Sequence, residues 1–231
     1  MDYNYPLLKA EVSAAYNDLI IDARLKDGQT VTAFCGAVEA AEMCTEGTPV
    51  WLKRTSVPNR LIKYNVSFIQ TPQGLVFANP KYNRTLFYEA FEKGLLSDFK
   101  DYVSCCPLWE KEDNGIDFEL TDAAGGKAFV FVTSTYHKQD ACAVFPHSIN
   151  FFELKLFEEF QKRYRAGAKT YVVMIVPRED CVSARFVWNL DPQASAAIFE
   201  AAKNGLNFLC YGCKLERNKI EINRKMEILY K

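Results

Sequence analysis

Six cations and seven aromatic rings share one acid-free stretch of this chain, and that pairing is the first chemistry its residues offer. Between Gly47 and Tyr88 stand Lys53, Arg54, Arg60, Lys63, Lys81 and Arg84, with no Asp or Glu among them. Trp51, Tyr64, Phe68, Phe77, Tyr82, Phe87 and Tyr88 are interleaved with them. Cations neutralise phosphates and aromatic faces stack bases, so the combination suits a nucleic-acid-binding surface. The same residues also read as strands whose aromatics alternate into a core while the cations stay solvated. The preceding segment differs: residues 1–46 carry three basic side chains against eight acidic ones. The whole chain of 231 residues has a formal net charge of −1. A global basic field is excluded, and contact with a polyanion has to be local.

Two other constellations carry potential ligands. His137 and His147 flank Asp140 and Cys142, and imidazole, carboxylate and thiolate all bind zinc, but the spacing matches no familiar structural site. The stretch reads equally well as a solvated polar loop. Cys210-x-x-Cys213 has no second pair, and Cys105-Cys106 carries no spacing signal. Eight cysteines behind an N-terminus with neither a basic nor an apolar leader region read as reduced thiols of a cytoplasmic protein. The longest apolar run, Tyr171–Val176, is far short of the ~20 residues of a membrane span. No Gly-rich phosphate loop and no nucleophile elbow is present.

The elements that must position these residues change character midway. From Leu19 to Ala78 the pattern is short strands and turns: 19–25, 31–35, 48–52, 63–69 and 75–78, with Lys26-Asp-Gly28 and Thr71-Pro-Gln-Gly74 between them. Five such segments at this spacing fit a small barrel of OB type. After Asn79 the rhythm becomes α/β. Apolar residues recur at helical spacing over Arg84–Phe99. Gly115–Leu120 and Ala128–Thr133 read as a strand pair around the turn Asp122–Gly126. Ser148–Arg165 reads as an amphipathic helix stopped by Gly167. Tyr171–Val176 reads as a strand covered on both faces, and Asp191-Pro192 opens a helix that ends before Gly205. Leu206–Cys210 and Ile220–Ile222 read as final strands.

Taken in order, these fragments resemble the sugar fermentation stimulation protein A (SfsA) family. Lys26-Asp-Gly28, Val31-Thr-Ala33, Gly47-Thr-Pro-Val-Trp-Leu52, Arg60-Leu-Ile-Lys-Tyr64 and Gly74-Leu-Val-Phe-Ala-Asn79 look like its first half. Asn83, Glu89-Ala90, Gly115-Ile-Asp-Phe118, Phe145-Pro146, Glu153-Leu154 and Asp191-Pro192 look like its second. The resemblance implies a mixed α+β architecture. An N-terminal OB-like β-barrel over residues 1–80 would be followed by a PD-(D/E)xK nuclease-like α/β domain over 81–231, with a central mixed sheet. It also implies DNA binding and a link to the regulation of sugar use.

The nuclease chemistry of that fold needs an Asp on one strand and Glu-x-Lys on the next. The carboxylates hold Mg²⁺, which activates water and neutralises the phosphate. Here the resemblance keeps Asp117 alone. The positions expected to carry Glu and Lys are Phe131 and Thr133. The Phe-Pro-Asp-Ala pattern becomes Phe145-Pro146-His147-Ser148. The His-x-Pro-Asn-Thr-Gly pattern of the first half falls on Phe34–Glu39 and is lost. Relocated acids could restore a site: Glu119 lies two residues from Asp117 on one strand, Glu153 stands early in the following helix, and Lys155 could add a cation. Glu119 and Glu153 read equally as solvent-facing charges. A third arrangement is an apolar groove for a protein partner, lined by Phe129, Phe131, Phe151 and Phe152.

The leading expectation is a catalytically inactive SfsA-like protein that binds nucleic acid, DNA before RNA, through Lys53, Arg54, Arg60, Lys63, Lys81 and Arg84. No cofactor is expected on that reading and no membrane partner, while the oligomeric state is left open. The alternative is a nuclease using Asp117, Glu119 and Glu153, with Asp117 on the metal and Mg²⁺ or Mn²⁺ as cofactor.

Overall fold

A strand that hydrophobic patterning does not announce closes the first half of the chain. Leu7–Tyr16 (β1) pairs with two strands at once, antiparallel to β2 (Ile20–Leu25) and to β4 (Pro49–Arg54). Its sequence, Leu-Leu-Lys-Ala-Glu-Val-Ser-Ala-Ala-Tyr, has one β-branched apolar residue and three alanines, so intrinsic preference for extended backbone is weak. The two flanking ladders supply what propensity does not. β2 pairs with β3 (Thr30–Phe34), β3 with β5 (Tyr64–Thr71) in parallel, and β5 with β4. The circuit β1-β2-β3-β5-β4 therefore returns to β1 as a closed five-stranded barrel of OB type. The 75–78 segment, expected as a fifth member, is instead β6 (Gly74–Phe77), an added strand on β5. A single-turn helix, α1 (Val38–Ala41), links β3 to β4. Inside the barrel Val12, Ile21, Ala23, Val50, Leu52, Val66 and Ile69 are all buried.

The computed structural model describes residues 1–16, 19–109, 115–145, 151–187 and 192–230. It divides into two compact units, and the chain returns twice to the first. One unit comprises Met1–Tyr82, Pro177–Asp180 and Cys213–Glu221; the other comprises Asn83–Val176, Cys181–Gly212 and Ile222–Lys231.

The second unit opens with α2 (Asn83–Glu92), which ends where Gly94 takes a φ of 67°, well before the Phe99 expected from periodicity. An antiparallel meander follows: β7 (Tyr102–Pro107), β8 (Phe118–Asp122) and β9 (Lys127–Ser134). After the short strands β10 (Lys138–Gln139) and β11 (Cys142–Phe145), helix α3 (Phe151–Arg165) carries the chain to β12 (Lys169–Val176), parallel to β9. β13 (Ser183–Phe186) and α4 (Pro192–Lys203) lead to β14 (Leu206–Glu216), parallel to β12. β15 (Lys219–Met226) completes a six-stranded mixed sheet in the order β15-β14-β12-β9-β8-β7. With β16 (Ile228–Tyr230), β10, β11 and β13 form a second, four-stranded sheet. Ser148, expected to cap α3, and Asp191, expected to open α4, lie outside the described residues.

β12 explains why its sequence is continuously apolar. Val172 and Met174 join one core with Leu156, Phe160, Phe186 and Ile198. Tyr171 meets Phe99 at 5.0 Å between ring centres, in the aromatic layer that Phe99 shares with Phe87. A central strand covered on both faces has no solvent side to alternate towards. Among the described residues, no helix is long and apolar enough to cross a membrane.

Candidate functional site

Five of the six expected cations lie in the barrel unit. Lys53 and Arg54 end β4, Arg60 and Lys63 belong to the connection to β5, and Lys81 sits on a 3-10 turn at Pro80–Tyr82. Ladder geometry brings the ends of this connection together, since the Thr55 N–H donates to the Lys63 carbonyl at 2.8 Å. A cavity of about 210 Å³ opens beside it, walled by Phe34, Lys53, Arg60, Asn65, Lys81 and Tyr82, and none of its lining residues is an acid. Its cations are held in different ways. Lys53 places its ammonium 3.1 Å from the centre of the Tyr5 ring and donates to the Tyr82 hydroxyl at 3.1 Å. That network pulls the Tyr5 phenol below its ordinary range, through the Tyr82 hydrogen bond and then the Lys53 charge. Burial, followed by the Tyr5 hydrogen bond, pushes Tyr82 up. The Arg60 guanidinium lies 5.8 Å from the Phe34 ring centre, a cation-π contact, and Lys81 is exposed.

The aromatics of the stretch divide. Trp51, Phe68, Phe77 and Phe87 are buried and belong to the core, where they have no face to offer a base. Tyr64, Tyr82 and Tyr88 keep exposed surface.

Arg84, the sixth cation, has another partner. It stands in the first turn of α2, whose buried stripe of Asn83, Leu86, Phe87 and Ala90 follows the spacing of one helical face. Asn83 fixes the start of that helix by donating its side-chain amide to Ser134 Oγ at 3.0 Å. Phe87 packs on Phe118 at 4.9 Å. Thus anchored, α2 brings Arg84 Nε to 2.5 Å from Asp117 Oδ1. Asp117 immediately precedes β8 and is completely buried. Its backbone N–H reaches the Val130 carbonyl at 2.9 Å, continuing the β8–β9 ladder, and its Oδ2 accepts the Val132 N–H at 2.7 Å. The carboxylate thereby finishes a ladder that has run out of backbone. Burial holds the Asp117 carboxyl above its ordinary range, although the Val132 N–H and the Arg84 charge both favour the anion. Trp109 lies alongside, its ring 5.1 Å from the Arg84 guanidinium carbon and 5.1 Å, edge-on, from Phe118.

The acids expected to join Asp117 have separate fates. Glu119 pairs with Lys127 at 2.6 Å across the β8–β9 hairpin. Glu153 and Lys155 stand on α3, in a turn whose side chains lie outside the described residues, together with Phe151 and Phe152. Phe129 is buried under the Arg163 guanidinium, 4.4 Å from its ring centre, and Phe131 packs against the core. Of the rings expected to line a groove, Phe129 is thus buried and Phe131 keeps part of its surface. Cys142 lies 3.1 Å from Ser183 Oγ and accepts from Arg185 at 3.5 Å, which draws its thiol below the ordinary range, the Ser183 bond leading. His147 lies outside the described residues, and Cys210 and Cys213 are buried on β14.

Residues 81–219 match the family model described as the sugar fermentation stimulation protein RE domain. The chain belongs to the SfsA family. Relatives named sugar fermentation stimulation protein homologs extend the likeness to nearly its full length. The Paramagnetospirillum magneticum protein is 29% identical over 224 residues, covering 96% of this chain and 95% of its own. The Maricaulis maris protein is 27% identical, covering 99% and 98%. The solved structure of Pyrococcus furiosus SfsA in complex with Ca²⁺ superposes with a TM-score of 0.83 at 16% identity, covering 99% of this chain and 98% of that one. It shares the barrel and the curled mixed sheet.

Among the described residues, nothing completes a ligand set around Asp117 for the divalent ion that the resemblance implies. A hard cation needs several oxygen ligands. Both Asp117 oxygens are engaged, by a guanidinium and a backbone N–H. Phe131 and Thr133 hold the two positions expected to carry Glu and Lys. Among the described residues, no group of three or more His, Cys, Asp or Glu side chains is placed to hold a metal. The Arg84–Asp117 pair was not read from the sequence. A signal existed: an Asp beside a buried Phe on a central strand has to find a cation or lose its charge.

Proposed function

We propose that this SfsA-family protein binds nucleic acid, DNA before RNA, through the cationic pocket of its barrel, and that it does not cut the strand it binds. The carrying observation is the acid-free lining of that pocket, in which Lys53, Arg60 and Lys81 converge beside Phe34 and Tyr82. Convergent cations with aromatic edges suit a phosphate backbone and its bases. The absence of cutting is supported by Asp117, whose oxygens are already engaged, and by Glu119, which faces its own lysine. A part for such binding in the regulation of sugar use is consistent with the name its relatives carry.

Titration of a fluorescent single-stranded or duplex oligonucleotide at several salt concentrations tests the binding. We expect the logarithm of affinity to fall linearly with the logarithm of salt, with Arg60→Ala and Lys81→Ala each reducing the slope by about one. No affinity at low salt, or affinity independent of salt, overturns the reading. Incubating labelled DNA with the protein and Mn²⁺ should leave it intact; cleavage lost in Asp117→Asn would establish the nuclease alternative.

A further inference from the structure

We propose that Arg84 stands in for the divalent cation, so that the Asp117 site of the second unit contacts a phosphodiester directly and without metal. The inference rests on the nucleic-acid reading above and adds a second contact, made by residues of the second unit. Arg84 Nε sits 2.5 Å from Asp117 Oδ1, the short charge-assisted contact of a carboxylate with a resident positive charge. The opposite oxygen is committed to the Val132 N–H. A metal would have to displace both partners of a carboxylate that has no exposure of its own.

A guanidinium can do one part of what the metal does. It carries a permanent positive charge and five N–H donors in a planar fork, a geometry matched to phosphate oxygens. Asp117 receives Nε, while the Arg84 side chain as a whole remains 46% exposed. Trp109, beside the guanidinium, limits its swing, and Asn83 fixes the helix that carries it. The arrangement is a cation held from behind by a buried anion and presented outward. It can neutralise a phosphate but cannot lower the pKa of a bound water, so it supplies binding without hydrolysis. Phe131, in the position expected to carry an acid, spares the incoming phosphate a second negative charge.

The test uses the full chain, its wild type and the variants Arg84→Gln, Arg84→Lys and Asp117→Asn, each checked for folding by circular dichroism. Oligonucleotide affinity is measured in EDTA and with Mg²⁺ or Ca²⁺, and Tb³⁺ luminescence sensitised by tryptophan reports metal at the site. We expect wild-type affinity to agree within about twofold with and without divalent ion, and Tb³⁺ emission to be indifferent to Asp117→Asn. Arg84→Gln should lower the salt slope by about one. Arg84→Lys should keep the slope while losing affinity, since the charge survives and the fork does not. Tb³⁺ emission or metal-dependent DNA binding that disappears in Asp117→Asn overturns the inference. So does an unchanged affinity and slope in Arg84→Gln. Failure of the wild type to bind any oligonucleotide instead overturns the broader nucleic-acid reading.

Discussion

Asp117 closes a strand ladder with its side chain, and that double use of one residue governs what can be changed there. Val132 needs an acceptor at this point, because a buried unpartnered N–H costs about 1–3 kcal/mol. Asparagine still offers a carbonyl oxygen and alanine offers nothing. Asp117→Ala should therefore unfold at lower urea concentration than Asp117→Asn by that order. The pH dependence follows from the raised carboxyl. The native state holds this proton to higher pH than the unfolded chain, whose carboxyl titrates near its ordinary value of about 3.8. Between those two values the unfolded state binds fewer protons, so stability falls as pH rises. The contribution is complete below the unfolded value and lost above the native one. Asp117→Asn should flatten this part of the profile, which urea midpoints measured upward from about pH 4 will show.

At the scale of elements, helix ends and hairpins do the positioning. Asp122 Oδ1 accepts from the Ala124 and Gly126 N–H groups at 2.9 and 2.8 Å, fixing the turn that sets the β8–β9 register. That register places Asp117 beside Val130 and Val132. Gly205 matters in a different way. It follows α4 with a φ of 91°, and a Cβ there would collide with the Tyr164 ring of the second unit. Gly205→Ala should lose more than about 1 kcal/mol, from strained backbone and from overlap together. Combining it with Tyr164→Ala removes only the overlap. The double variant should therefore be more stable than the sum of the single changes, measured by thermal unfolding as a double-mutant cycle.

For the whole molecule, the barrel is assembled from distant parts of the chain. Glu179 accepts from the Leu75 and Leu215 N–H groups, each at 3.3 Å, and Phe77 N–H reaches the Pro177 carbonyl at 2.9 Å. The tip of the β14–β15 hairpin takes the chain start, with Tyr3 N–H on the Asn218 carbonyl at 2.7 Å and Ile220 N–H on the Met1 carbonyl at 2.9 Å. Arg217 lies 5.3 Å from the Trp51 ring centre. Residues 1–82 expressed alone would leave these backbone groups to water and lose buried area. That fragment should show no cooperative thermal transition and a poorly dispersed amide spectrum, in contrast to the full chain.

Hydrophobic periodicity was enough to mark β12, α3, α4 and most barrel strands, because burial on one face or two leaves a local pattern at 2 or 3.6 residues. Phe131 and Thr133 were equally legible as a ring and a hydroxyl at the positions where the family resemblance implies Glu and Lys. β1 left no such trace, its extended form being imposed by β2 and β4 on either side. Nor could local pattern send Arg84 to Asp117, 33 residues away. An exposed cation has no periodicity to betray its partner. Only the docking of α2 through Asn83 and Phe87 selects that pairing, because the ion pair depends on a separation that the fold alone determines.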